Sequence, residues 1–447
     1  MKSGNALRAK ALVSAIAIGL AGLATAVEAD TLQDMKAQIE ALQKKVVELE
    51  QKQQTAEQMQ AAAAPDKVVT GGTTKGSFKL PGSNTSVTLG GYVKLDAVFS
   101  NPSAGVDTKG DLFLDPTTIA VGPDAGNNER NQVKFGARES RLFVKTNTPT
   151  ALGDLNTHVE FDFYGADGNE SVSNSHGFRL RHAYGTLGNF LAGQTWTNFM
   201  NPSSLPETLD FGGPVGQIFD RQAQVRWTQS FGASAGGGGG QWSVGLENPE
   251  TVVQIPGGAS FRADDDHWPD ITGQVLFNTS FGKISVHGLV RQVRADSAAA
   301  PAVMDEKWGG AVSAAGVLPT VGKDDFRFTV SAGNAIGRYS DGFFPDGIVG
   351  SDGQIRLPKQ WGWFAAYRHF WSDQLRSNVV LSTAGESNPA GAPANTNKYT
   401  RSAHANLIWS PVPNTDLGME YVYGYRETED GLNGHLNRLQ ASAKYAF

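Results

Sequence analysis

The chain has 447 residues, no cysteine and a formal net charge of −6. Disulfides and thiolate metal sites are thereby excluded, and the acidic balance argues against a nucleic-acid partner. With 18% charged residues, 53 glycines and a mean hydropathy of −0.30, the chain is too polar and too glycine-rich for a bundle of membrane helices.

Residues 1–29 read as an export signal. Lys2, Arg8 and Lys10 give a positive start, an apolar run follows from Ala11 to Ala24, and Val27-Glu28-Ala29 offers small residues for cleavage before Asp30. That run is shorter than the about 20 residues a membrane span needs, and no later stretch is apolar enough for one. A membrane-embedded mature chain must then be a closed barrel, because lipid leaves no water to pair with backbone polar groups.

Residues 30–60 predict a helix. Leu32, Met35, Ile39, Leu42, Val46 and Leu49 recur at alternating spacings of three and four, which is a heptad seam. It reads as a short periplasmic coiled coil, or as one amphipathic helix. Ile and Val at one seam position with Leu at the other lean toward two strands, and about three heptads are marginal without help from attached domains. Residues 61–85, rich in Ala, Gly, Thr and Ser, read as a flexible linker.

From Ser86 the period becomes two. Val93, Leu95, Ala97 and Phe99 alternate with Lys94 and Asp96; Val159, Phe161 and Phe163 alternate with Glu160 and Asp162. Segments of about ten residues with one apolar and one polar row are the mark of a transmembrane barrel. The predicted fold is all-β: a transmembrane antiparallel β-barrel spanning 86–447. Its sixteen strands lie near 86–99, 131–146, 154–165, 177–188, 189–196, 220–231, 241–249, 270–281, 282–294, 308–318, 325–337, 359–372, 374–385, 399–410, 415–427 and 435–447. Short turns such as 148–153 and 411–414 alternate with long loops such as 101–130, 197–219 and 338–358, as in outer-membrane barrels. An even strand count puts both barrel ends, and the helix, on the periplasmic side. Trp361, Trp363, Tyr367 and Trp371 suit an interfacial girdle. The last strand carries Leu439, Ala441, Ala443, Tyr445 and Phe447 on one face; this resembles the terminal signal read by barrel-insertion machinery.

A barrel of about sixteen strands is too wide to fill with its own side chains and encloses water. The loop 197–219 is expected to fold into it as a constriction, with Glu207 and Asp210 facing basic residues on the opposite wall. Inward parity is expected for Arg141, Lys145, Arg179, Arg181, Arg226, Arg327 and Arg438, with Glu160 and Asp162 among them. Arg138 has the other parity, so it needs a bulge or lies beyond the lipid. A guanidinium is always charged and matches a carboxylate as a planar fork, so rows of Arg favour small anionic solutes. These arginines equally suit ion pairs that merely order the wall.

The stretches Phe135-Gly136-Ala137-Arg138-Glu139-Ser140-Arg141-Leu142, Gly177-Phe178-Arg179-Leu180-Arg181-His182-Ala183-Tyr184-Gly185 and Phe190-Leu191-Ala192-Gly193-Gln194-Thr195-Trp196-Thr197-Asn198-Phe199 resemble the DcaP-like outer-membrane porin family, as does the heptad helix ahead of the barrel. The resemblance implies a trimer of sixteen-stranded barrels, a periplasmic coiled coil and a preference for dicarboxylic acids. It lends a general solute role to Arg138, Arg141, Arg179, Arg181 and Arg221. The implied trimer departs from the two-stranded lean of the seam.

The reading is therefore a passive porin, not an enzyme, with no cofactor and no metal. Its partners would be outer-membrane lipid, small anionic solutes and further copies of the chain. The competing readings are a tether between the membrane and the periplasm, and a barrel enzyme. His158, His182, His287 and His404 are scattered without a Ser/His/Asp pattern. The run Asp264-Asp265-Asp266 with Asp270 lacks the spacing of a calcium loop and reads as solvated.

Overall fold

The computed structural model describes residues 29–62, 69–101, 112–123, 131–169, 171–232, 238–263, 265–297 and 302–447. The predicted export signal up to residue 28, residues 63–68 of the predicted linker, and Asp264 lie outside the described residues.

A helix, α1 (Ala29–Ala62), contains neither Gly nor Pro and is rich in Ala, Gln, Glu, Lys and Leu, all good helix formers. Its seam residues Ile39, Leu42, Val46 and Leu49 are exposed on the single chain.

The barrel is a separate unit. Its strands are β1 (Ser86–Asn101), β2 (Gln132–Gly136 and Arg141–Thr150), β3 (Gly153–Asn169), β4 (Ser175–Leu187), β5 (Phe190–Trp196), β6 (Arg221–Phe231), β7 (Gly239–Glu247) and β8 (Asp270–Thr279). They continue with β9 (Gly282–Ser297), β10 (Val303–Pro319), β11 (Asp325–Gly333), β12 (Lys359–Phe370), β13 (Leu375–Ser387), β14 (Asn397–Trp409), β15 (Thr415–Thr428) and β16 (Asn433–Ala446). Each strand pairs antiparallel with the next, and β16 pairs with β1 from Asn437↔Asn101 to Ala446↔Tyr92, which closes the cylinder. Every predicted strand is present within a few residues.

Closure explains the inverted burial. On β1 the side facing lipid carries Val93 at 58% exposure, while its neighbour Lys94 is 4% exposed inside. Water-facing polar atoms are covered by the barrel's contents, and apolar atoms face the membrane.

Two bulges interrupt the alternation. On β2, Gly136 pairs with Asp96 and Arg141 with Tyr92, so four residues face three of β1. On β4, Arg181 is the extra residue between the pairs Glu160↔His182 and Phe161↔Leu180. An extra residue shifts parity by one and re-aims the side chains around it.

Part of the predicted linker is corrected. Residues 71–80 turn back on themselves: the Gly72 N–H donates to the Ser77 carbonyl at 2.9 Å, and Phe78 and Lys79 pair with Val87 and Ser86. Gly76 sits at φ +80°, which only glycine adopts freely, so a stretch that looks flexible by composition supplies a turn.

Long loops share one barrel end and fold together there. Short strands at Val252–Gln254, Ser260–Arg262, Gly347–Val349 and Ile355–Arg356 form a small sheet. It packs on Val293, Ala295 and Val303 of the wall. Arg291 of β9, fully buried, holds Asp346 at 2.7 Å and Asp270 at 3.4 Å, and its Nη2 donates to the Glu250 carbonyl at 2.5 Å.

Candidate solute pathway

The lumen is shaped first by the connection between β5 and β6. Its base closes where the Thr197 N–H donates to the Asp220 carbonyl. It then runs along the far wall. The Asn198 N–H donates to Glu247 of β7 at 2.7 Å, and the Asn201 side chain donates to Ser285 of β9 at 2.9 Å. Arg327 of β11 donates to the Leu205 carbonyl at 2.6 Å. Glu207 accepts from both arms of Arg376 of β13 at 2.9 and 2.6 Å, with Arg368 of β12 at 3.6 Å.

At the tip, the Glu420 carboxylate of β15 accepts from the N–H groups of Leu209 and Asp210 at 2.8 and 3.0 Å. Lys94 of β1 and Gln440 of β16 donate to the Leu209 carbonyl at 2.7 and 2.9 Å. Asp210 lies 3.6 Å from Arg438 and accepts from the Leu114 N–H at 2.8 Å. Burial pushes the Asp210 and Asp220 carboxyls up from the ordinary range, against the pull of Arg438 and Arg338. On the return, the Gly216 N–H donates to Ser382 at 2.7 Å. A Cβ on Gly216 would collide with the carbonyls of Trp363 and Thr383, so glycine permits backbone-on-wall contact here.

Residues 112–123 and 334–346 also fold inward. Leu114, Ile119, Val215, Phe343 and Phe344 form an apolar cluster with Ala384, Val422 and Leu436. Arg426 of β15 donates to the carbonyls of Thr117 and Ile119 at 2.8 and 3.0 Å. Within the long loop 101–130, residues 112–119 hold four apolar residues in eight with no period, so their inward fold leaves no local signal in the sequence.

The wall of β2 to β6 differs. Arg179 grips Asp162 with two bonds, at 2.9 and 2.6 Å. Arg181 bridges Glu160 at 2.8 Å and Asp162 at 2.7 Å, and Arg141 reaches Glu160 at 3.4 Å. The β4 bulge turns both Arg181 and His182 inward, and His182 contacts Thr195 at 3.0 Å. Arg221 has no ion pair among the described residues, and its buried Nη1 has no hydrogen-bond partner. Its guanidinium lies 4.6 Å from the Trp196 ring centre and 5.6 Å from that of Phe219, held by ring faces rather than by a counter-charge. Phe211 of the inward loop sits under Arg179 and Arg181 at 5.2 and 5.6 Å. A cavity of about 210 Å³ opens here, lined by Arg179, Arg221, Phe113, Phe211, Phe219 and Asp341, with Asp220 beside them. Asp220 is engaged by Arg338 at 3.7 Å and Gln222 at 2.6 Å, which leaves Asp341 as the carboxylate facing Arg221. Arg226 lies further along β6, within electrostatic reach of Tyr184 and Glu247.

Several site expectations are corrected. Arg138, expected to face solute, is buried at the β2 bulge. Its Nε donates to His176 at 3.2 Å, and it lines a cavity of about 750 Å³ with the outward-facing Phe135, Leu142 and Phe447. Arg327 and Arg438 point inward, but the loop takes them: Arg327 holds Asp325 and Leu205, and Arg438 holds Ser100 and Asp210. Glu160 and Asp162 are buried under the arginines, with Asp162 at 0% exposure, so they order cations rather than meet solute. Arg368, Arg376 and Glu420 were missed, although all hold the loop. Inward parity on their strands was the available signal.

The whole arrangement is a water-facing cylinder narrowed by an inward loop, with arginines along one wall. A family model described as DcaP outer membrane protein matches residues 24–447. The chain belongs to that family. The DcaP channel of Acinetobacter baumannii is a similar solved structure: 24% identical, covering 85% of this chain and 100% of the other, with a TM-score of 0.70. Vibrio cholerae OmpT is 12% identical over 81% of this chain and 98% of its own, with a TM-score of 0.51. An anion-selective porin from Comamonas acidovorans is 12% identical over 81% and 100%, with a TM-score of 0.50. No curated protein sequence matches the chain. As a DcaP-family member, the chain is an outer-membrane channel-type barrel of sixteen strands.

Proposed function

We propose that the chain is a passive diffusion channel that prefers small anions, dicarboxylates above all. The observation that carries this reading is Arg221, a guanidinium with no ion pair among the described residues, which lines one cavity with Arg179 and Phe211 and lies over the Trp196 ring. Arg221 offers a fork to one carboxylate of the solute, which would displace Asp341, and Arg179, although paired with Asp162, adds positive charge to the same cavity for the second. The anion selectivity of a Comamonas acidovorans porin of similar fold makes such selectivity attainable on this scaffold.

The working unit proposed is a homotrimer, with α1 in the periplasm. The exposed seam of Ile39, Leu42, Val46 and Leu49 supports a partner helix from another copy. The alternating C-terminal strand ending in Phe447 supports recognition by insertion machinery.

The test is a reversal potential in planar bilayers under a salt gradient, repeated with succinate as the anion. The expected sign is anion preference. A cation-selective or non-conducting protein overturns the proposal.

A further inference from the structure

The outer wall of a barrel should be apolar, and most of this one is. At the long-loop end of β14 the pattern breaks. Lys398 is an extra residue between the pairs Asn397↔Thr428 and Tyr399↔Glu427. Asn397 and Thr400 point inward, so the bulge sends both Lys398 and Tyr399 outward. Arg401, two residues further, shares that outward face and is exposed. Lys398 lies 6.0 Å from the centre of the Tyr399 ring, and Arg401 lies 5.3 Å from that of Tyr425. Trp361 stands 6.3 Å from Tyr399, which extends the aromatic floor. The carboxylate on this face, Glu427, accepts from the Tyr425 hydroxyl at 2.9 Å. Neither Lys398 nor Arg401 forms an ion pair among the described residues.

We infer that this patch binds the phosphate groups of a glycolipid in the outer leaflet. The inference rests on the outer-membrane reading, in which the long-loop end faces outward from the cell. Two unpaired cations on a lipid-facing wall need an anion at headgroup height, and a phosphate supplies it. Flat Tyr and Trp faces beside them suit the apolar face of a sugar ring. A phosphorylated sugar-based headgroup satisfies both halves of the patch; a plain phospholipid satisfies only the cations.

The test is binding of bis-phosphorylated lipid A to the delipidated full-length protein in detergent, read by native mass spectrometry. Replacing both cations, Lys398→Gln with Arg401→Gln, should weaken binding roughly thirtyfold. Lys398→Arg with Arg401→Lys should retain it. Dephosphorylated lipid A should bind the unaltered protein as weakly as the double glutamine variant does. Equal binding by the unaltered protein and that variant overturns the inference, and so does equal binding of lipid A with and without phosphate. Phosphatidylglycerol competing on equal terms overturns the glycolipid assignment. Single-channel conductance of the same preparations reports on the channel reading alone, so failure of one is told from failure of the other.

Discussion

The two sides of the lumen use the same chemistry for different ends. On β11 to β16, the inward Arg327, Arg376 and Arg438 and the carboxylate Glu420 are all spent on the inward loop. On β2 to β6, Arg141, Arg179 and Arg181 are paired within the wall, while Arg221 and Arg226 form no ion pair among the described residues. The first side is a frame and the second is a surface for solute. Inward arginine is therefore a poor marker of a solute site by itself; what matters is whether a carboxylate or a loop carbonyl has already claimed it.

That contrast can be broken most directly at Arg181. Arg181→Ala should cost about 3–5 kcal/mol, because it leaves Glu160 and Asp162 under-compensated in a buried site. The denaturant midpoint of the refolded barrel measures it, and an unchanged midpoint removes the ion cluster from the account. On the framing side, Glu420→Gln keeps the shape but weakens two charge-assisted bonds to the loop tip. It should cost about 2 kcal/mol in total and make single-channel current noisier. A quiet, unaltered conductance would mean that the loop is held elsewhere.

Gly216→Ala tests the loop against the wall by bulk rather than charge. The added methyl meets the Trp363 and Thr383 carbonyls, so the loop must lift, at about 1–3 kcal/mol, with a changed conductance. The smallest stability effect is expected at Arg221→Ala, about 1 kcal/mol from lost ring contact. Its effect on function should be the clearest: anion preference falls while the fold stays. If selectivity survives Arg221→Ala but is lost on mutating the framing arginines, the assignment of the two sides is reversed.

Sequence reading went far with the barrel because each strand reports its own environment. Val93, Leu95 and Phe99 alternate with Lys94 and Asp96 whatever their neighbours are, so strand number and inward face are local facts. The places where parity misled are the bulges. The parity of Arg138 called for a bulge or a place beyond the lipid; the bulge is there, and it leaves Arg138 against His176 and the outer cavity. On β14 the extra residue Lys398 shifts the register, and no local pattern announces it. The inward segment 112–123 and the turn at 71–80 carried no period to read.

The sequence by itself determined a closed, sixteen-stranded cylinder, its lipid-facing and water-facing rows, and the helix ahead of it. The reason is that lipid on one side and water on the other impose a two-residue rhythm on every strand. Only the tertiary structure decided which charges are taken and which are left. Arg376 meets Glu207, and Glu420 meets Leu209, across more than a hundred residues of chain, and a one-residue register shift decides where each side chain points.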